Sequence, residues 1–170
     1  KVDMLMLEML ANCNWERPLY MAISVGEVSK LKFDHYFVQE GLAFRFTPFD
    51  YKKWGNVKGD NNYAIDVERL YENVMNRYKY GGLDTPGLYL DETTLRTCYY
   101  HRRLFAQLAK ELIRQGDNTR ARKVLAYAEQ AVPAYNVPEI YESGSFDIAK
   151  AYAALGEKTK AMPLLKYLTA

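Results

Sequence analysis

Asn14-Trp15-Glu16-Arg17-Pro18-Leu19-Tyr20-Met21-Ala22 marks a switch from helix to strand. Pro18 fixes its own φ and pushes Arg17 out of the α region, so a helix ending near Asn12 cannot run through it. Leu19 to Ile23 is then an apolar run of buried-strand length. Upstream, Met4, Leu5, Leu7, Met9 and Leu10 repeat as a helix would, with Asp3 as N-cap candidate. That helix is apolar on more than one side, which predicts burial. Trp15 reads as a core anchor and Arg17 as a solvated or paired charge. This reading outweighs a catalytic Glu16/Arg17, because a lone charged pair beside a Trp is mostly structural.

Outward from this switch, Gly26 breaks the pattern, and Lys30 to Val38 reads as a short helix closed by Gly41 as C′ glycine. Leu42, Phe44 and Phe46 alternate with Ala43 and Arg45, a period-2 strand ended by Pro48. The order helix, strand, helix, strand predicts that the two strands pair in parallel through a crossover. Phe49 to Asn62, with Trp54 among lysines, reads as a loop. Asp66 starts an amphipathic helix with Val67, Leu70, Tyr71, Val74 and Tyr78 on one face, ended by Gly81-Gly82. Pro86-Gly87 is a turn, and Asp91 caps a long helix running to Gln115. Gly116-Asp117 breaks it, and Asp117 or Asn118 caps the next helix, which ends at Pro133.

Gly116, Ala121, Ala128 and Pro133 keep the spacing of a tetratricopeptide repeat, in which a glycine turns between two helices that small residues let approach closely. The pattern recurs with Tyr152, Gly156 and Ala161. The two glycines stand 40 residues apart, against the roughly 34 of that repeat. The surplus lies around Ala134 to Glu142, where Pro138 restarts a helix. Pro163 departs from the pattern, since proline is tolerated only in a first turn. Two repeats fall short of a self-sufficient solenoid, so the first part of the chain is expected to supply a packing partner.

With a net charge of +2, the chain is not built for nucleic acid by bulk charge. Its 15 tyrosines suit half-buried surfaces, interfaces or sugar stacking. No apolar run approaches the roughly 20 residues of a membrane helix. Lys1-Val2-Asp3 opens directly into a helical pattern, which reads as a fragment of something longer. Cys13 and Cys98 lack metal-ligand spacing, and two buried free thiols are favoured over a disulfide. His35 and His101 form no metal motif, and no serine or cysteine sits in a nucleophile elbow. Asp91 and Glu92 could form a carboxylate pair for glycoside chemistry, but acids at a helix start serve first as caps. Arg96, Arg102, Arg103, Arg114, Arg120 and Arg122, interleaved with acids, read as a solvated helix surface.

The block Asn14-Trp15-x-Arg17-Pro18-Leu19-Tyr20 resembles the C-terminal region of a bacterial family of large membrane proteins. The N-terminal multi-helix part of that family resembles protein O-mannosyltransferases. Glu40-Gly41-Leu42-Ala43-Phe44-Arg45 and Tyr89-Leu90-Asp91-Glu92 match two further blocks in the same order, ahead of a helical tail. The resemblance implies a piece outside the membrane and joined to it through an absent N-terminal part. The glycosyltransferase activity of such a parent falls on no residue of this chain.

The expected fold is α+β and mostly helical. Residues 1–62 form a small α/β unit, and 63–170 form tetratricopeptide-like antiparallel hairpins packed with it as one globular unit. The expected function is a non-catalytic, extracytoplasmic (periplasmic) domain that binds an acceptor protein or partner. The alternative is a free-standing scaffold that binds a peptide. No catalytic, cofactor or metal residue is assigned. Tyr100, Arg103, Gln107, Tyr141 and Ser145 are the partner-binding candidates, on the first helix of each pair.

Overall fold

The computed structural model describes residues 2–25, 33–50 and 63–169. It divides into two compact units, Lys1–Leu70 and Tyr71–Ala170. The chain is mostly helical, with a mixed sheet in the first unit and paired antiparallel helices in a tetratricopeptide-like hairpin arrangement in the second.

The first unit opens with α1 (Val2–Asn12), and Asp3 lies inside the helix instead of capping it. Met4 and Leu5 are 70% and 59% exposed, and Leu7 and Met9 are also exposed, so the expected burial of this helix does not hold. An apolar sequence sets what a helix can bury; neighbours decide whether it does. After Pro18 the chain enters β1 (Tyr20–Ala22) as expected. Asn14 and Trp15 turn it there with φ of +47° and +60°. Trp15 is no core anchor: it is 59% exposed, its ring stacked 6.2 Å from that of Phe46.

The largest correction concerns residues 33–39. Phe33–Tyr36 make a single 3-10 turn, and Phe37–Gln39 form strand β2, where a helix was expected. Residues 30–32 of that expected helix, and 51–62 of the expected loop, lie outside the described residues. Strand β3 (Ala43–Phe46) falls where alternation placed it. Gly41, at φ +149°, sits at the tip of a tight β2–β3 hairpin closed by the Glu40 N–H donating to the Ala43 carbonyl; it caps no helix. The sheet order is β1-β3-β2-β4, with β4 at Ala64–Ile65. β1 and β2 both run antiparallel to β3, overturning the expected parallel pair; the parallel pair is β2 with β4. Val38 and Ile65 are buried in it. Their β-branched side chains fit a pleated, half-buried surface, which outweighed a marginal helical pattern.

Asp66 accepts from the Arg69 N–H and starts α2 (Val67–Glu72), which widens into a π-helical turn over Asn73–Arg77. Asp91 caps α3 (Glu92–Arg114) by accepting from the N–H groups of Thr93 and Thr94. Gly116, at φ +83°, turns the chain, and Asp117 caps α4 (Asn118–Ala131). Pro138 does not restart a helix; a 3-10 turn at Tyr141–Ser143 and Gly144 precede α5 (Ser145–Ala154). Helix α6 (Lys158–Thr169) runs through Pro163 in its second turn, beyond the position where proline was expected to be tolerated. Ala121, Ala128 and Ala161 are buried, as close helix approach requires. α3 packs on both α4 and α5, which is why Cys98, Phe105, Leu108, Ala109 and Leu112 form a wide buried stripe.

Candidate functional site

The link over 132–144 organises the second unit, and one side chain staples it. Arg102 projects from α3 with 3% exposure. Its Nη1 donates to the Pro138 carbonyl at 2.7 Å and to Ser143 Oγ at 3.1 Å; its Nη2 donates to the carbonyls of Val132 at 3.1 Å and Val137 at 2.5 Å. Arg102 is therefore not part of a solvated basic face. Burial lowers its pKa, opposed by the negative charge of Glu139. Asn136 pins the same link to the turn before α3, donating to the carbonyls of Leu83 and Thr85 at 2.7 and 2.6 Å.

On the outer side of the link, α3 and the 3-10 turn enclose a groove of about 450 Å³. Leu95, Tyr99, Tyr100 and Ile140 form its flat and apolar walls. Arg103 is exposed at its edge, donating from Nε to the Glu142 carbonyl at 2.7 Å with its guanidinium 5.5 Å from the Tyr100 ring. Tyr100 and Arg103 thus share one groove. Gln107 is half-buried on the same helix. Tyr141 is exposed, with its ring 5.1 Å from Phe146. Ser145 is buried, its hydroxyl 2.8 Å from that of Ser143 and 3.4 Å from Arg102, and it lines a separate cleft.

The acids weighed for glycoside chemistry have other work. Asp91 accepts two backbone N–H groups and the Thr94 hydroxyl, which hold its pKa below the carboxylate value. Glu92 pairs with Arg96. His35 lies 3.9 Å from Asp50, and His101 packs edge-on against Tyr78 and Tyr80. Cys13 and Cys98 are free thiols. Among the described residues no cluster of His, Cys, Asp and Glu could hold a metal ion, and no helix is long and apolar enough to cross a membrane.

In the first unit, two sequence blocks meet at one buried carboxylate. Glu40 receives Arg45 Nε, Arg69 Nη1 at 3.0 Å and the Tyr20 hydroxyl at 3.2 Å. Breaking such a buried pair exposes the remaining charge to a desolvation cost, so these residues read as a clasp for the hairpin. Sequence reasoning missed Arg102 and this clasp. The signal for Arg102 was its place four residues from Cys98 and three from Phe105 on the buried stripe of α3.

Residues 1–68 match the family of TMEM260-associated domain 2. The match takes in Trp15, Tyr20, Glu40 and Arg45 and leaves α3 to α6 outside it. It links this region to a membrane-protein family. No curated protein and no solved structure matches the chain.

Proposed function

We propose that this chain is a non-catalytic, extracytoplasmic (periplasmic) part of a bacterial membrane protein of the O-mannosyltransferase-like kind, and that its helical unit holds an acceptor or partner protein. The observation that carries the reading is the groove on α3, where Tyr100 and Arg103 stand together beside Ile140 and Glu142. Flat rings and a guanidinium held by a carbonyl suit a peptide, whose backbone needs hydrogen bonds and whose side chains need flat surfaces. The family match of residues 1–68 supports the membrane-protein parent. The capping role of Asp91 and the Arg96 pairing of Glu92 support a unit that binds without performing chemistry. Gln107 follows on α3 one turn beyond Arg103 and Tyr141 stands on the link, both outside the lining of the groove, and Ser145 lines the separate cleft.

A displayed peptide library selected against the chain tests this. Binders should weaken about tenfold or more in Tyr100→Ala and in Arg103→Ala, as interface anchors do. Binders indifferent to both substitutions would remove the groove from the reading.

A further inference from the structure

Arg103 stands apart from the other arginines of the second unit. Arg77, Arg96, Arg114, Arg120 and Arg122 each pair with a carboxylate, and Arg102 is buried among carbonyls. Arg103 is exposed and, among the described residues, makes no ion pair. Its guanidinium is nevertheless fixed. Nε and Nη2, which share one edge of the group, both donate to the Glu142 carbonyl. Gly144 lets the link come this close, since a Cβ there would stand 2.9 Å from Arg103 Cγ. The edge left over carries Nη1 and the second hydrogen of Nη2. Two such parallel N–H groups match the two oxygens of one carboxylate.

The groove's own acids do not fill this fork. Glu92 is held by Arg96 at 2.5 Å. Glu142 reaches Arg103 with its main-chain oxygen, and its exposed carboxylate makes no ion pair with it. A neutral carbonyl in the fork would offer one oxygen to two donors and forgo the gain of a charged acceptor. Beside the fork stand the half-buried Leu95, Tyr99 and Tyr100 and the exposed Ile140. A small anion would leave that apolar surface wet, whereas a peptide that also carries an apolar side chain covers it. The guanidinium lies 5.5 Å from the centre of the Tyr100 ring. An extended peptide rises roughly 3.3 Å per residue, so acid and apolar residue stand one or two positions apart. The Glu142 carboxylate on the same rim disfavours a run of acids, so a single acid among neutral residues fits.

We propose that the α3 groove selects a peptide segment with one acidic side chain, its carboxylate held by the free edge of Arg103, and an adjacent apolar side chain against Tyr99, Tyr100 and Ile140. This rests on the peptide reading of the groove and names the ligand chemistry that reading leaves open.

The test is an amide-resolved NMR titration of the whole chain with acetyl-Ala-Glu-Phe-Ala-amide, its Gln counterpart and sodium phosphate. The Glu peptide should give saturable shifts at Tyr100, Arg103 and Glu142 and bind at least about fivefold more tightly than the Gln peptide. Arg103→Gln should bring the two peptides to equal affinity. Arg103→Lys should lose most of the preference, because an ammonium has no fork. Equal binding of both peptides at those amides would overturn the acid assignment and leave the groove as a site for neutral peptides. A preference that survives Arg103→Gln or is undiminished in Arg103→Lys would overturn it as well, as would phosphate saturating the same amides as tightly as the Glu peptide. No shift there from either peptide would overturn the groove reading itself, and this assignment with it.

Discussion

Arg102 and Arg103 are neighbours in sequence with opposite roles. Arg102 is buried and gives its hydrogens to carbonyls and hydroxyls along the link; Arg103 is exposed and holds one carbonyl. Arg102→Ala strands several buried acceptors and should cost about 3–5 kcal/mol, and Arg102→Lys should rescue little, because one ammonium cannot span the set. Arg103→Ala should cost about 1 kcal/mol or less. Urea midpoints measure both. His101 offers a pH test: its Nδ1 is buried without a hydrogen-bond partner among the described residues, and burial holds its pKa below the ordinary 6.5. The folded state keeps the ring neutral while the unfolded chain takes up a proton. The contribution is therefore full above pH 6.5 and is lost as pH falls toward the folded value. The midpoint should drop between pH 7 and pH 5, and drop less in His101→Phe; equal drops would contradict this. Trp15→Ala should cost about 1 kcal/mol or less, against the roughly 3–5 kcal/mol of a buried aromatic. An intact urea midpoint is the expected result.

At the scale of elements, three glycines separate the helices of the second unit, at positions 116, 144 and 156, all with positive φ. They are not equivalent. A Cβ at Gly116 would meet nothing within 4 Å, so Gly116→Ala costs only the left-handed backbone strain, about 1–2 kcal/mol. A Cβ at Gly144 would stand 3.0 Å from Arg103 Cα and 3.1 Å from its backbone nitrogen. Gly144→Ala should therefore lower the thermal midpoint more than Gly116→Ala does, because α5 or α3 must shift as well. It should also disturb the groove through Arg103. Equal losses in the two variants would mean that the link yields at that point.

At the scale of the molecule, the division at Leu70 and Tyr71 cuts α2 in two. A piece that begins at Asp66 keeps the cap and the whole helix. We expect it to fold alone, with the helical circular dichroism of α3 to α6 and cooperative melting, since Leu104, Phe105, Leu108, Leu112 and Leu125 bury a core among those helices. A non-cooperative melt would contradict this.

The sequence alone determined the features that depend on a few neighbouring residues. Asp91 and Asp117 capped α3 and α4, and Gly116 and Gly156 turned the two hairpins. Alternation from Leu42 to Phe46 placed β3. Each follows from backbone chemistry within one turn or strand. Tyr100 and Arg103 were legible as neighbours because three residues on a helix bring side chains to one face. The rest was decided by tertiary structure. Phe37 to Gln39 became a strand because β3 and β4 offered ladder partners on both sides, which local pattern does not record. Trp15 and α1 stayed exposed because burial needs a neighbour as well as apolar side chains. Arg102 joined α3 to a link some thirty to forty residues downstream, and the two hollows beside that link exist only once its carbonyls have been gathered around one guanidinium.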